Sequence, residues 1–188
     1  MSKTNGIVTR SLTGALGKEL VFREWEGKTI VAKAPKSRKG EPTDAQVQIQ
    51  EKFLLATKYA NAILKDQDPG MKDAYAAVLR PRQNIYSRAL EDFLTPPKIR
   101  SIGASAYDGT VGSKISVRAI DDFRVASVSV EIHAANGTLL EKGNAVPNSN
   151  GIDWTYTATQ INNPRAGSKI IAVATDVPGN DGTEEVTL

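Results

Sequence analysis

The spacing of apolar residues in this 188-residue chain changes once, at the proline pair Pro96-Pro97. Before the pair, apolar residues recur at helical spacing among many lysines and arginines. After it, they alternate with polar residues between turns rich in Gly, Asn and Asp, which is the period of a β-strand. A single change of period at two prolines predicts two domains joined by a stiff hinge.

The predicted fold class is therefore α+β with two domains. We expect the N-terminal domain, 19–95, to hold a β-hairpin and about three helices, a number set by the periodic segments. An arm at 1–18, flexible or ordered by a partner, precedes it. The C-terminal domain, 98–188, is expected to be an all-β immunoglobulin-like sandwich. Two halves of about 95 residues each lie near the lower limit for an independent core.

Composition and charge narrow the class of protein. With 40% apolar and 24% charged residues, the chain has the balance of an ordinary globular protein. No apolar run reaches the ~20 residues of a membrane span, and no secretory signal is evident, so we expect synthesis in the cytoplasm and no membrane partner. The chain has no cysteine, which excludes disulfides and thiol chemistry. Through Pro97 there are 16 Lys/Arg against 11 Asp/Glu, and after it 8 against 10, so the halves suit different partners.

Local signals place the N-terminal elements. Two β-rich runs around Glu26-Gly27 predict a tight hairpin. Because a lone hairpin is marginal in water, its apolar residues, Trp25 among them, are expected to pack on the helices or on another chain. Thr43 and Gln46 form a capping box that predicts a helix start near Asp44. The apolar stripe expected on this first helix comprises Ile49, Phe53, Ala56, Ala60 and Ile63.

Prolines indicate two further helices. Asp68-Pro69 is typical of an N-cap followed by a proline at the first helical position. Pro81 is expected to end that second helix and to start a third. Ile85, Ala89 and Phe93 then fall on one side of the third helix.

Seven short segments with alternating apolar residues follow the hinge, at the count and spacing of an immunoglobulin-like sandwich. Trp154 alternates with threonines in one of them and is expected in the core. The predicted strands are 99–105, 114–120, 125–133, 138–142, 153–159, 169–175 and 184–187.

Both halves resemble known groups of proteins. The runs VFREWEGKTIVAKAP and TDAQVQIQEKF make the N-terminal half similar to a set of small bacterial and prophage-encoded proteins, a resemblance that brings no activity with it. The runs IDDFRVASVSVEI, DWTYTAT and IIAVATDVPGN resemble immunoglobulin-like modules of bacterial surface proteins and phage virion proteins. Such a resemblance implies adhesion, spacing or decoration rather than chemistry.

We predict no catalytic residue, cofactor or metal. The nucleotide, hydrolase and zinc-protease motifs are absent from the sequence. His133 is the one histidine, and a lone strand histidine is expected to be structural. The alternative is a calcium site built from turn carboxylates, although aspartate is also a normal turn residue. The candidates for such a site are Asp121, Asp122, Asp176 and Asp181.

The densest basic stretch is a candidate interaction segment. Its lysines either contact phosphates or keep a strand edge from indiscriminate pairing. Phe22, Trp25 and Tyr59 could add stacking surfaces for nucleotides, but their periodic placement makes core positions the expected ones. The candidate interaction residues are Trp25, Lys28, Lys33, Lys36, Arg38 and Lys39.

Together these features predict a non-enzymatic structural protein, a phage or prophage tail, decoration or related particle component. We expect it to self-associate through the N-terminal half, with further copies or other particle proteins as partners. Two alternatives stay open: a nucleic-acid-binding accessory protein that uses the basic 28–39 segment, and a carbohydrate- or surface-binding module.

Overall fold

A computed structural model describes residues 2–4, 12–36, 40–65 and 69–188 of the chain. The chain divides into two compact units, Met1–Thr43 and Asp44–Leu188. The first unit holds one β-sheet, and the second holds the described helices together with two further sheets. The predicted hinge at 95–98 therefore lies inside the second unit, while the chain divides at the start of the first helix.

The first unit is a four-stranded antiparallel sheet of order β1-β4-β3-β2. Glu26 and Gly27 close the β3–β4 hairpin with φ angles of 52° and 70°, the left-handed values that a two-residue type I′ turn requires. Two described segments of the predicted arm at 1–18 are strands of this same sheet, because β1 pairs with β4 and β2 with β3. The strands are β1 Ser2–Thr4, β2 Gly14–Leu16, β3 Leu20–Trp25 and β4 Lys28–Lys33.

Two of the three predicted helix starts agree with the structure. The first helix starts at Asp44 and the second at Pro69, as predicted. The predicted start of the third helix at Pro81 is wrong. Asn84 caps that helix instead, since its side chain accepts the Ser87 amide at 2.8 Å. The helices are α1 Asp44–Leu64, α2 Pro69–Ala77 and α3 Ile85–Leu94.

The rest of the second unit forms two four-stranded antiparallel sheets. One has the order β5-β6-β10-β9 and the other β12-β11-β7-β8. The mixed α+β class is therefore confirmed. The strands are β5 Lys98–Gly103, β6 Lys114–Ile120, β7 Val125–His133, β8 Leu139–Asn144, β9 Val146–Pro147, β10 Asp153–Thr157, β11 Lys169–Asp176 and β12 Asp181–Thr187.

Alternating side chains from these two sheets meet in one hydrophobic core. In β6, β7, β10 and β11 every second residue points inward, as the two-residue period of a strand requires. Trp154 is buried, which confirms its predicted position. The fully buried aliphatic members are Ile115, Val117, Val128, Val130, Ile132, Ile170, Ala172 and Ala174.

The helices bury a second, smaller cluster against one end of the two sheets. Ala60, Tyr75 and Ala89 are its buried members from three helices. Phe123, from the β6–β7 turn, packs into the cluster with its ring stacked on Tyr75 at a centroid distance of 4.2 Å. Hydrophobic contact therefore joins the helices to the sheets across the predicted hinge.

The segment that links α3 to β5 lies close to β12. A Cβ atom at Gly182, on β12, would overlap the Pro97 carbonyl oxygen, so only glycine fits beside the proline pair. Asn180, in the β11–β12 turn, donates its side-chain amide to the Phe93 carbonyl at 3.0 Å. The helices and the sheets are thus held together at the hinge itself.

Candidate interaction surfaces

A cluster of charged side chains joins α3 to the β6–β7 turn. The Arg88 side chain is 2% exposed, and its Nη1 lies 3.2 Å from a Glu91 oxygen and 3.4 Å from an Asp122 carboxylate oxygen. Arg88 Nη2 also donates to the Asp122 backbone carbonyl. Arg80 donates to the same two carboxylates from the exposed side, at 2.8 and 2.9 Å. A buried guanidinium with this many partners fixes the turn against the helix.

One turn along α3, Asp92 is fully buried. Its Oδ2 accepts a hydrogen bond from the Tyr75 hydroxyl at 2.5 Å, and its Oδ1 has no partner within the described chain. Burial, helped by the charges of Asp121 and Asp176, raises the pKa of Asp92 to about 7 against the opposing effects of the Tyr75 hydrogen bond and the Arg88 charge. Because no solvent or substrate reaches this carboxyl, its perturbed pKa is a property of packing and not of an open active site.

The aspartates considered as calcium ligands accept hydrogen bonds from groups within the second unit. Asp121 Oδ2 accepts the amides of Phe123 and Arg124, each at 3.0 Å. Asp122 pairs with the arginines described above. Such turn hydrogen bonds are the ordinary role of aspartate at these positions.

The other two candidates behave in the same way. Asp176 is buried and accepts the Asn180 amide at 2.6 Å, and Asp181 accepts the Thr175 hydroxyl at 2.6 Å. Among the described residues, no group of three or more His, Cys, Asp or Glu side chains is arranged to hold a metal ion.

His133 lies on β7 with its Nε2 3.3 Å from a Glu131 carboxylate oxygen. The same carboxylate pairs with Lys142 at 2.7 Å, and these partners lower the pKa of Glu131. The histidine thus contacts a carboxylate of its own strand.

The register of the N-terminal sheet places the lysines of the basic segment on both faces of the sheet. Residues directly opposite each other in a ladder share a face, so Lys28 lies with Trp25 while Lys33 lies with Leu20 on the other face. Lys28, Lys33 and Lys36 are all exposed, and Arg38 and Lys39 lie outside the described residues.

Trp25 is 61% exposed, so the expectation of a core position for this residue is wrong. It sits beside the tight turn, where the sheet ends and neighbouring strands cannot cover it. Tyr59, by contrast, packs against the helical cluster, with its ring 5.5 Å from that of Phe93.

The first three turns of α1 form an uncovered helical segment, here called the α1 overhang, residues 44–55. Every residue of it is exposed. The predicted apolar stripe is buried at Ala56, Ala60 and Ile63 against the helical cluster, but Ile49 is 69% exposed and Phe53 50% exposed. The stripe was thus predicted correctly only over its second half. The exposed apolar residues of the overhang are Val47, Ile49, Phe53, Leu54 and Leu55.

The length of the neighbouring helix explains the overhang. At about 1.5 Å per residue, the 21 residues of α1 extend about 31 Å, whereas the 10 residues of α3 extend about 15 Å. The C-terminal half of α1 therefore packs on its own chain, and the overhang, about 18 Å long, contacts α3 through the Lys52 ammonium, which donates to the Leu94 carbonyl at 3.3 Å.

Sequence reasoning missed the Asp92–Tyr75 pair. A signal for it exists, because Arg88 and Asp92 are four residues apart beside the apolar side of a helix predicted from Ile85, Ala89 and Phe93. Polar residues that flank a buried stripe require partners in the fold. No local pattern identifies Tyr75, which comes from another helix, as that partner.

No helix in the described part of the chain is long and apolar enough to cross a membrane. The chain matches no protein-family model and no curated protein.

Three solved structures are similar to about half of the chain. CopC from Methylosinus trichosporium OB3b is 16% identical, with 47% of this chain and 87% of that chain covered and a TM-score of 0.35. A tetra-tandem repeat in the extending region of a large adhesion protein is 17% identical over 50% of this chain and 24% of that one, with a TM-score of 0.38. An engineered protein is 24% identical, with 53% of this chain and 22% of that chain covered and a TM-score of 0.32. Similarities this weak carry no argument about function.

Proposed function

We propose that this chain is a non-enzymatic structural protein that self-associates through its N-terminal half, as a component of a phage or prophage particle. The α1 overhang carries the proposal. Monomeric proteins rarely leave large contiguous apolar patches in water, and larger exposed patches mark association sites. The phage assignment comes from the resemblance of the two halves to prophage-encoded proteins and virion modules.

A second copy of the chain is the occupant that fits the overhang. The stripe of Ile49 and Phe53 continues the one that packs at Ala56 and Ala60, with alternating steps of four and three residues, as in the seam of a helix pair. A segment that uses one helical face for both contacts suits another helix of the same kind. Two overhangs side by side would cover each other's apolar residues without any foreign partner.

The strand order supports an immunoglobulin-like sandwich as the second part of the proposal. The orders β5-β6-β10-β9 and β12-β11-β7-β8 correspond to the ABED and GFC sheets of that architecture, with β8 added at the edge. The turns β6–β7 and β11–β12, at one end, are covered by α3. A surface-binding role would therefore use the opposite end.

Sedimentation of the full chain over a range of concentrations tests the proposal. The double variant Ile49→Gln/Phe53→Gln is expected to shift the chain toward monomer. Val146→Gln is the matched control, since Val146 is 67% exposed but lies on the C-terminal sheets. A wild-type chain that stays monomeric at the highest concentration contradicts self-association. Deleting residues 1–18 is a poor test, because it removes two strands from the N-terminal sheet.

Nucleic-acid binding is the second candidate, and one observation favours it. Trp25 is exposed and shares its face of the sheet with Lys28 and Arg23, a stacking surface beside two cations. Tight binding of single-stranded oligonucleotides by a monomer, lost in Trp25→Ala and weakened steeply by salt, would replace the assembly proposal with this one.

A further inference from the structure

Two turns of the C-terminal sheets carry an Asn-Gly pair in the same position. Asn136-Gly137 lies in the β7–β8 turn and Asn150-Gly151 in the β9–β10 turn, and all four residues are exposed. In each turn the glycine amide donates to the carbonyl three residues before it, at 2.8 Å for Gly137 and 3.1 Å for Gly151. Both glycines have a positive φ, 85° and 71°. The two turns are therefore a matched pair in backbone conformation.

An asparagine followed by glycine can react within its own chain. The glycine nitrogen, once it has lost its proton, attacks the side-chain carbonyl carbon of the asparagine. A bond forms between these two atoms, the bond from that carbon to the side-chain nitrogen breaks, and ammonia takes up the proton and leaves a cyclic imide. Water then opens the imide at either carbonyl and gives aspartate or its β-linked isomer, isoaspartate. Glycine favours the attack because it has no side chain to hinder the approach of the nitrogen.

The two asparagine side chains are held to different extents. Asn136 Oδ1 accepts the Thr138 amide at 3.0 Å, and Asn150 Oδ1 accepts the Ile152 amide at 3.2 Å, so both side chains make this bond. Asn150 makes two further hydrogen bonds, both to Asp153. Its Oδ1 accepts the Asp153 amide at 3.0 Å, and its Nδ2 donates to an Asp153 carboxylate oxygen at 2.7 Å. These bonds must break before the Asn150 side chain can turn toward the attacking nitrogen.

Asp153 is itself fixed and charged. Arg118 donates to both of its carboxylate oxygens, at 2.7 and 3.0 Å. The hydrogen bonds from Arg118 and Asn150 lower the pKa of Asp153, so the carboxylate is ionised at neutral pH. Because the attacking nitrogen is also negatively charged, a carboxylate beside Asn150 opposes the reaction there.

We infer that Asn136 is a site of spontaneous conversion to aspartate and isoaspartate in the folded protein, and that Asp153 protects Asn150 from the same reaction. The site lies at the end of β7 away from the β6–β7 turn, which α3 covers. Each conversion adds one negative charge to a chain of net charge +3, and isoaspartate also lengthens the backbone of the turn. The inference does not depend on the proposed self-association.

Peptide mapping of the full chain after incubation at mildly alkaline pH tests the inference. Mass spectrometry follows each asparagine separately, including Asn5 of a third Asn-Gly pair that lies outside the described residues. In the folded protein we expect Asn136 to convert at least about tenfold faster than Asn150, because of the two further hydrogen bonds of Asn150. The same chain unfolded in urea should convert both asparagines at comparable rates, since a glycine follows each of them.

The variant Asp153→Ala tests the protection. It removes the acceptor of the Asn150 Nδ2 hydrogen bond together with the negative charge. Conversion at Asn150 should therefore rise at least about threefold in the folded variant, while conversion at Asn136 stays unchanged. Arg118→Met is the matched control, since it breaks the other pair of Asp153 and leaves the bonds to Asn150 in place. Both asparagines of this control should convert at wild-type rates.

Three results overturn the inference. If Asn136 and Asn150 convert equally fast in the folded wild type, the side-chain hydrogen bonds do not select the site. If Asn136 stays unmodified in the folded chain while the chain in urea converts, the β7–β8 turn blocks the attack. If Asp153→Ala leaves the rate at Asn150 unchanged, Asp153 does not protect it. The folded and unfolded wild type alone decide the first two, so neither depends on how well a variant folds.

Discussion

Neutralising the buried carboxyl of Asp92 should stabilise the protein in a pH-dependent way. Asp92 lies at the contact between helices and sheets, where its Oδ1 has no partner in the described chain and its Oδ2 accepts only the Tyr75 hydroxyl. Asp92→Asn keeps the shape of the side chain and removes its charge. The substitution therefore imitates the protonated acid at every pH.

The magnitude follows from the pKa. Burial raises the pKa of Asp92 from the usual 3.8 to about 7 in the folded protein. Between these values the folded state holds a proton that the unfolded state has lost, so stability falls as pH rises. At about 1.4 kcal/mol per pH unit, the wild type loses about 4 kcal/mol between about pH 4 and about pH 7 through this one group. Asp92→Asn does not show that loss, because its side chain has no carboxyl to titrate.

Urea denaturation of both proteins across this range measures the effect. The difference in unfolding free energy should change in favour of Asp92→Asn by about 1.4 kcal/mol per unit and level off above about pH 7. Any fixed cost of altered hydrogen bonds moves the whole difference curve without changing its slope. A difference that is flat from about pH 4 to about pH 8 would refute the reasoning.

Two further variants sharpen this test. Tyr75→Phe removes a hydrogen bond that lowers the pKa of Asp92, so it should move the titration of that carboxyl upward in an NMR experiment. Asp153→Asn is a control of opposite sign. Arg118 holds the pKa of Asp153 below its usual value, so that acid contributes stability that is lost only as pH falls through the lowered pKa. Its difference from the wild type should be constant above about pH 5.

Urea denaturation also tests the packing of two side chains of the second unit, Arg88 and Trp154, each against a comparison substitution. Arg88→Met leaves the Asp122 backbone carbonyl without its buried donor, while Arg80 still pairs with the Asp122 carboxylate, and should cost about 1–3 kcal/mol. Arg118→Met breaks an exposed pair with Asp153 and should cost less, so equal costs would contradict the assigned burial of Arg88. Trp154→Ala should cost about 3–5 kcal/mol, and a loss under about 1 kcal/mol would contradict its core position. Trp154→Phe should cost less, since it keeps a ring and removes an indole N–H that has no partner in the described chain.

The strands were the most predictable part of the fold. The predicted segments 114–120 and 125–133 coincide with β6 and β7, because both strands have one buried and one outward face and so alternate strictly. The short β9 gave no signal, since two residues show no period. Strand pairing and the order of the sheets are long-range properties that alternation alone does not determine.

Helical periodicity identified the apolar face of α1 but not which part of that face is covered. Ile49 and Ala60 belong to one stripe, yet only Ala60 is buried, because α3 is half as long as α1. The start at Pro81 failed for a local reason. Proline is compatible with a first helical turn, but Arg82 adopts a left-handed φ of 67° that stops a helix there, and the Asn84–Ser87 capping box starts one instead.

The aspartates of the turns show how a candidate ligand set can serve the fold. Asp122 and Asp176 were considered for calcium, and both lie at the end of the sheets that α3 covers. Asp122 binds Arg88 of that helix, and Asp176 orders Asn180, whose side chain binds the last turn of α3. These aspartates thus hold α3 against the turns of the second unit. The exposed apolar surface that bears on the proposed self-association is instead the α1 overhang, whose residues 44–55 are all exposed.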